Sequence, residues 1–471
     1  MKKYVKEIYY KLPYSIKNVA ASIVGYNNCR KRYGKIYKDY LEYFRKNDNN
    51  ESYYTSYQLS MLKDILLECM KYSDYYKELF YVNNISKEFI EKANDINEIL
   101  ERIPFLEKQV LKENMKTIIN KNPNRKTIAI THTSGTTGTP MSVEHDKDSY
   151  QKTFAIWRRF HDSIGLPENF KSIRLSANKV VADDTSKPPF WVYNLANNQL
   201  LMSLYHMSET NLSYYVNKIN EFKPDLIDGF PSAVYFIANH IEKNNLKIKF
   251  KPIAICVTSE TIYDYQREVI ERVFNCKVYN QYSSSEGSPW IQECKCGNMH
   301  MNPFSGIFEF FNNGKVANPG DTAEMVVTSF RQIKTPLIRY RIGDSVLLPK
   351  ENETCSCGSK MPFVKNVVGR IDDVFYTRKR GFIPAGIEGC IKGLDGINKA
   401  KFIQERINLI EVILEINSKY DKDYEKNIIK DIKITTGDDV DVKISYTDSM
   451  ELSKSGKFKM HERHFDIESV I

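Results

Sequence analysis

Several short segments of this 471-residue chain carry side chains suited to handling phosphate and charge. In Thr131-His132-Thr133-Ser134-Gly135-Thr136-Thr137-Gly138-Thr139-Pro140, two glycines allow close approach of the backbone to an anion, and the hydroxyls add donors without bulk. A Walker loop needs Gly-x4-Gly-Lys-Ser/Thr and a dinucleotide fingerprint needs Gly-x-Gly-x-x-Gly. Neither is present, so the pattern predicts a polyphosphate loop of a third kind. Neither Gly-x-Ser-x-Gly nor Ser-x-x-Lys surrounds Ser134, which argues against a serine nucleophile. Tyr282-Ser283-Ser284-Ser285-Glu286 sets one carboxylate among small hydroxyls, an arrangement suited to Mg2+ bridging phosphate oxygens. Asp344, in Tyr340-Arg341-Ile342-Gly343-Asp344, is able to accept two hydrogen bonds from a vicinal diol. In Ser453-Lys454-Ser455-Gly456-Lys457-Phe458, a glycine followed by lysine can carry a point charge into a site, with Lys454 and Lys459 as competitors for that role.

Four of the nine cysteines and one histidine form two further patches, Cys294-Lys295-Cys296-Gly297-Asn298-Met299-His300 and Cys355-Ser356-Cys357-Gly358. Paired cysteines in glycine-containing turns, joined to a histidine, fit a tetrahedral zinc site, although the spacing is Cys-x-Cys and not the commoner Cys-x-x-Cys. Four protein ligands would leave no position for water, so the site reads as structural. Cys29, Cys69, Cys256, Cys276 and Cys390 stand alone and read as buried small hydrophobes.

The Thr-Ser-Gly-Thr-Thr-Gly-x-Pro text at 133–140 resembles the signature loop of the adenylate-forming superfamily, and within it the phenylacetate–CoA ligase branch with its CapK-like capsule-biosynthesis members. The resemblance runs nearly end to end, since the other blocks follow in order. It implies the adenylate-forming enzyme fold, α/β with a large multi-sheet N-terminal domain (1–369) and a small mobile C-terminal α+β lid (370–471). Residues Thr133, Ser134, Gly135, Thr136, Thr137 and Gly138 would cradle ATP phosphates. Thr258-Ser259-Glu260 would lie beside adenine and Tyr282 in the nucleotide site. Ser285 would sit near the α-phosphate, Glu286 would bind Mg2+, and Asp344 would bind ribose. In Gly369-Arg370-Ile371-Asp372-Asp373, Arg370 would contact ribose or phosphate and Asp372 would be the pivot. Lys457 would stabilise charge during adenylation. Zinc sites with a Cys and a His six residues apart occur in some relatives; here that selects Cys294, His300, Cys355 and Cys357, with Cys296 as spare or alternate. The implied reaction joins a carboxylic acid to AMP and then to a thiol (CoA) or an amine. The alternatives are direct adenylylation of a non-carboxylate acceptor, or a catalytically silent scaffold in polysaccharide assembly.

The match departs from the family in places. Met141 and Thr139 stand where lysines flank the loop proline in many members, so phosphate charge would fall to Mg2+, backbone amides and Lys457. Ser283 replaces a glycine, and Arg378-Lys379-Arg380-Gly381 displaces an Arg-Gly turn that helps form the CoA tunnel. The acid pocket is expected between the loop and Glu286, with Trp157, Phe190, Trp191, Tyr205, His206 and Phe230-Pro231-Ser232 as candidate lining.

Short β-branched runs alternating with helical stretches must position these blocks. The first hundred residues read as helical, with Leu59 to Phe80 at helical spacing after a polar loop at 47–51. Strands are expected at Ile128 to Ile130, Leu226-Ile227, Ile253 to Val257, Val278-Tyr279, Ile307 to Phe311, Ala323 to Thr328, Leu337 to Tyr340, Leu409 to Ile416 and Val440 to Ser445. Helices are expected at Tyr214 to Phe222, Ala233 to Lys243 and Tyr263 to Phe274. With 42% hydrophobic residues the chain can bury sizeable cores. The net charge of +9 reads as spread along the chain, with no nucleic-acid arm; Tyr4, Ile8 and Leu12 among lysines read as a packed helix or, alternatively, a peripheral membrane contact. No apolar run is long enough for a signal core or membrane span, so a cytoplasmic, disulfide-free protein is expected, with oligomerisation left open.

Overall fold

The computed structural model describes residues 8–132, 142–176, 179–182, 184–208, 210–284, 286–370, 375–377, 381–383, 387–391, 394–450 and 458–465. Helices open the fold: α1 (Tyr14–Arg32), α2 (Lys35–Lys46), α3 (Glu51–Tyr72), α4 (Asp74–Val82), and the short α5 (Lys87–Lys92), α6 (Ile96–Leu100), α7 (Lys108–Glu113) and α8 (Met115–Ile118). Asn50 caps α3 by accepting from the Tyr53 N–H. The apolar run from Leu59 to Phe80 is two helices and not one. Ser73 breaks it with extended backbone, caps α4 through the Tyr76 N–H, and donates its own hydroxyl to the Ile118 carbonyl at 2.9 Å.

A hairpin, β1 (Thr127–His132) and β2 (Ser142–Asp146), then leads into α9 (Lys147–Ser163). The main sheet follows, formed from β3 (Ser172–Ser176), β4 (Trp191–Asn194), β5 (Gln199–Ser203), β6 (Leu226–Gly229), β7 (Ala254–Thr258), β8 (Val278–Tyr282), β9 (Ile291–Glu293), β10 (Met299–Met301) and β15 (Phe363–Val364), in the order β15-β10-β9-β8-β7-β6-β3-β5-β4. Its centre, β8-β7-β6-β3-β5, is parallel. The connections carry α10 (Leu212–Phe222), α11 (Pro231–Lys243) and α12 (Asp264–Phe274), which bury Ile219, Val234, Ile237 and Ile270 against Ile173, Leu175, Ile255 and Val257. Parallel strands so covered read as near-continuous apolar runs, as Ala254-Ile255-Cys256-Val257 does.

A second, antiparallel sheet has the order β12-β11-β13-β14-β16, with β11 (Gly306–Asn312), β12 (Lys315–Val316), β13 (Thr322–Ser329), β14 (Tyr340–Leu347) and β16 (Asn366–Arg370). The helical block packs on it: Phe44 stacks on Phe304 at 4.6 Å, and Leu62, Tyr76 and Tyr340 share that core. The strand expected at Leu337 to Tyr340 begins only at Tyr340. Arg339 has φ +51°, and its guanidinium bonds Glu309 and the Ile103 carbonyl, so this stretch is a buried turn. Leu106 donates to the Arg339 carbonyl at 2.9 Å and accepts from the Arg341 N–H at 3.1 Å, adding one parallel rung to β14 just ahead of α7.

Towards the C-terminus lie the hairpin of β17 (Phe375–Thr377) and β18 (Gly381–Ile383), then β19 (Ile397–Arg406), β20 (Leu409–Ile416), α13 (Tyr424–Thr436), β21 (Asp441–Thr447) and β22 (His461–Arg463). The last four strands form a sheet of order β21-β20-β19-β22 around a separate core of Phe402, Ile410, Val412, Leu414, Ile428 and Ile432. Cys69, Cys256, Cys276 and Cys390 are buried as expected; Cys29 is not, and its Sγ lies 3.0 Å from Asn197 Oδ1.

Candidate active site and metal centre

The parallel strands β6, β7 and β8 end together, and the segments that follow them carry the polar groups, the usual place for a ligand in an open α/β sheet. Beyond β8, the turn at 283–288 is held from several sides. Ser284 and Ser288 exchange N–H···Oγ bonds at 2.8 and 3.1 Å, and Gly287 donates to the Ser284 carbonyl. Gly287 sits at φ +99°, and a Cβ there would stand 2.2 Å from the Gln332 side chain, so glycine is required. Arg331 lies beneath, donating from Nη1 to Ser283 Oγ at 2.5 Å and the Ser288 carbonyl at 2.6 Å. Its guanidinium rests on the Trp290 ring, and burial lowers its pKa to about 9. Within this turn Glu286 is only 8% exposed, and Lys108, at the start of α7, places its Nζ 3.5 Å from Glu286 Oε1.

Tyr282 closes β8 and donates its hydroxyl to Asp344 Oδ2 at 2.5 Å, joining the two sheets. Burial and the Asp344 carboxylate hold that phenol well above its ordinary pKa, so it remains a donor. Asp344 pairs across β14 and β16 with Arg370, of which the backbone is described. Beyond β7, Ser259 takes φ +72°, the backbone of a glycine position. Glu260 then accepts from the Ser232 N–H (3.1 Å) and the Phe458 N–H (3.0 Å), linking the ends of β6 and β7 to the segment before β22. Between β1 and β2, which bracket the Ser/Thr/Gly loop, His145 Nε2 lies 2.9 Å from Thr131 Oγ1. Burial and the nearby Arg331 charge lower the His145 pKa to about 4, so it is neutral.

Tyr282, Glu286, Asp344, Ser259 and Glu260 thus stand at the same end of the sheet. Thr133, Ser134, Gly135, Thr136, Thr137, Gly138, Ser285, Asp372, Arg378 to Arg380 and Lys457 lie outside the described residues. Lys108 and Arg331 are new to the site. No local motif marks either, because each reaches it through a tertiary contact.

Trp157 donates to Gln281 Oε1 at 3.2 Å, one residue before Tyr282, and also lines an open cleft of about 1460 Å³ bounded by α2, α9 and the Asn194–Asn198 turn. Phe190 is fully buried, stacked on His206 and Tyr215. Tyr205 is partly exposed, and Phe230 to Ser232 follow β6 into the Glu260 corner.

The β9–β10 hairpin and the loop before β15 bring Cys294, His300, Cys355 and Cys357 together, with ligating atoms all within 4.8 Å of one another. His300 Nδ1 lies 2.8 Å from the Met361 carbonyl, which leaves Nε2 facing the thiols, 3.3 Å from Cys357 Sγ. The Cys296 and Ser359 N–H groups donate to Cys294 and Cys357 Sγ at 3.4 and 3.3 Å. Three thiols and an oriented imidazole fit a tetrahedral divalent metal. Cys296 is exposed and outside this set, accepting from Ser356 Oγ.

Comparisons with known proteins agree with this architecture. Residues 375–463 match the CapK C-terminal domain family. The chain is 33% identical to Protein CapK of Staphylococcus aureus over 90% of its length and 91% of that protein. It is 22% identical to the phenylacetate-coenzyme A ligase of Thermus thermophilus over 62% of this chain and 66% of that one. Among solved structures, 2-hydroxyisobutyryl-CoA ligase in the postadenylation state, in complex with R3-HIB-AMP, superposes with TM-score 0.68 at 16% identity, covering 90% of this chain and 92% of that one; that likeness carries the adenylate-forming fold. The chain belongs to the CapK family of adenylate-forming ligases, distantly related to the phenylacetate–CoA ligases.

Proposed function

We propose that this protein activates a carboxylic acid with ATP in two steps, within a nucleotide-binding body (1–369) and a lid (370–471). The separate cores of the two bodies support that division. The observation that carries the reading is the Tyr282–Asp344 contact beside Glu286: the carboxylates expected to bind the ribose diol and Mg2+ both lie near the end of β8. The acid's oxygen attacks the α-phosphorus in line, an O–P bond forms, the bridging P–O bond breaks, and pyrophosphate departs. A thiol or amine then attacks the acyl carbon and AMP leaves. Mg2+ held at Glu286 would neutralise phosphate charge; Lys108 adds a protein cation at that carboxylate, where the loop lysine of other members is missing. Ser134 to Gly138 would cradle phosphates, Ser285 would lie near the α-phosphate, Ser259 and Glu260 would border adenine, and Asp344 with Arg370 would bind ribose. Lys457 would steady developing charge before the lid turns about Asp372. Catalysis on this reading is positioning plus charge stabilisation.

CoA as acceptor is supported by the relatives named for CoA ligation. Service to capsule or cell-envelope polysaccharide synthesis rests on CapK kinship alone. Zinc at Cys294, His300, Cys355 and Cys357 would be structural, with no open coordination position. ATP–pyrophosphate exchange across aromatic, fatty and amino acids tests the reading. Exchange with one class, lost in Glu286→Gln and Lys457→Ala, is the expected result. ATP binding with no exchange for any acid would overturn it in favour of a silent scaffold, and a product mass showing AMP on a non-carboxylate would overturn it in favour of direct adenylylation.

A further inference from the structure

Helix α1 is built inside out. The side facing the body is small and polar: Asn18 Oδ1 accepts from the Tyr193 N–H at 2.8 Å, and Ser22 Oγ accepts from the Leu195 N–H at 3.0 Å. Gly25 is buried so closely that a Cβ would stand 2.1 Å from Asn194 Oδ1, and Cys29 reaches Asn197. The large apolar residues face the other way. Ile16, Val19, Ile23 and Tyr26, spaced three, four and three apart, form one stripe with exposures of 47%, 59%, 59% and 62%. Val24 at 60% and Ile8 at 48% extend it. A helix stabilised only by its own domain would turn this stripe inwards.

Charge identifies what covers it. Residues 1–46 hold twelve Lys and Arg against three Asp and Glu, an excess of nine that equals the net charge of the whole chain. The remaining residues are therefore neutral in sum, which corrects the expectation of a charge spread along the sequence. Helix α1 contains no acidic residue, and Lys11, Lys17 and Arg30 flank the stripe without an ion pair among the described residues. A second copy docked here would set two such cationic blocks face to face, whereas an anionic lipid surface complements both the apolar stripe and its cationic frame.

We propose that α1 is an interfacial docking helix that seats this protein on an anionic membrane surface, with Ile16, Val19, Ile23 and Tyr26 in the headgroup–acyl boundary and the flanking cations on lipid phosphates. None of the described helices is long and apolar enough to cross a membrane, which fits a helix lying in the interface.

Co-sedimentation of the full chain with vesicles tests this, using phosphatidylcholine alone against phosphatidylcholine with one third phosphatidylglycerol. Binding is expected only to the anionic vesicles, weakening as salt rises. Val19→Ser/Ile23→Ser should lower the partition coefficient roughly tenfold, and Lys11→Glu/Lys17→Glu/Arg30→Glu at least as much, with Tm little changed because Val19, Ile23, Lys11 and Arg30 are exposed and Lys17 is only half-buried. No vesicle binding by the wild type, or equal binding by both variants at unchanged Tm, would overturn the proposal. So would light scattering showing a dimer that Val19→Ser/Ile23→Ser converts to monomer.

Discussion

The Tyr282 hydroxyl and the Asp344 carboxylate link the two sheets at the candidate site. Tyr282→Phe would remove this donor from the Asp344 carboxylate, and hydrogen bonds to charged groups are worth about 1.5–3 kcal/mol. The expected outcome is a rise in KM for ATP of roughly tenfold or more in pyrophosphate exchange, with Tm lowered by roughly a few degrees. Lys108→Met should depress exchange by about tenfold, with Lys108→Arg recovering part of it, since the cation stands 3.5 Å from Glu286. Steady-state kinetics on both variants would check this, and an unchanged rate in Lys108→Met would remove that lysine from the reaction. The blocks ending in Glu286 and Asp344 were legible in the sequence because each is continuous and its chemistry local. Lys108 and Arg331 were not, because their partners are set by folding and nothing in Glu107-Lys108 or Phe330-Arg331-Gln332 announces them.

At the scale of elements, the cysteine centre staples the β9–β10 hairpin to the loop that leads into β15, three short strands at one edge of the main sheet. Short edge pairings have little stability of their own, so a metal there would supply what hydrogen bonds do not. Metal analysis should find zinc in the purified protein, and Cys355→Ser/Cys357→Ser should lose it and lower Tm by roughly several degrees. Exchange activity in that variant should survive at lower temperature, because the four ligands lie outside the nucleotide site. Residue chemistry made this cluster readable in the sequence, and the family resemblance singled out its four ligands with Cys296 set aside. Strand and helix identity was also readable wherever the period was sustained, as in Leu409–Ile416. It failed at Leu337 to Arg339, where an apolar run is buried as a turn, and at Ser73, whose backbone N–H closes one helix on Cys69 while its hydroxyl begins the next.

For the whole molecule, three buried imidazoles set the response to acid. Burial lowers the pKa of His145 and His461 to about 4, the first also through Arg331, and lowers that of His161 to about 3 through burial and Arg158. Each binds its proton less readily folded than unfolded, so the unfolded chain takes up more protons as pH falls from about 6.5 towards 4. Stability declines over that window, by at most about 1.4 kcal/mol per pH unit for each imidazole. Urea midpoints should therefore drop between pH 7 and pH 5, and His161→Gln should flatten the slope; a midpoint constant over that range would refute the assignment. The order of the blocks made the two-body architecture legible, whereas the orientation of α1 was not, since an outward apolar stripe has the same sequence period as an inward one. The Leu106 rung on β14 has a consequence for modular engineering. It fixes the register of the helical block against the strand that bears Asp344, so the block is part of the catalytic chassis. A hybrid enzyme that took its sheets from this chain and its helices from another would inherit the Ser/Thr/Gly loop but forfeit the cation beside Glu286, unless the graft carried the segment from Phe105 through Lys108 with it.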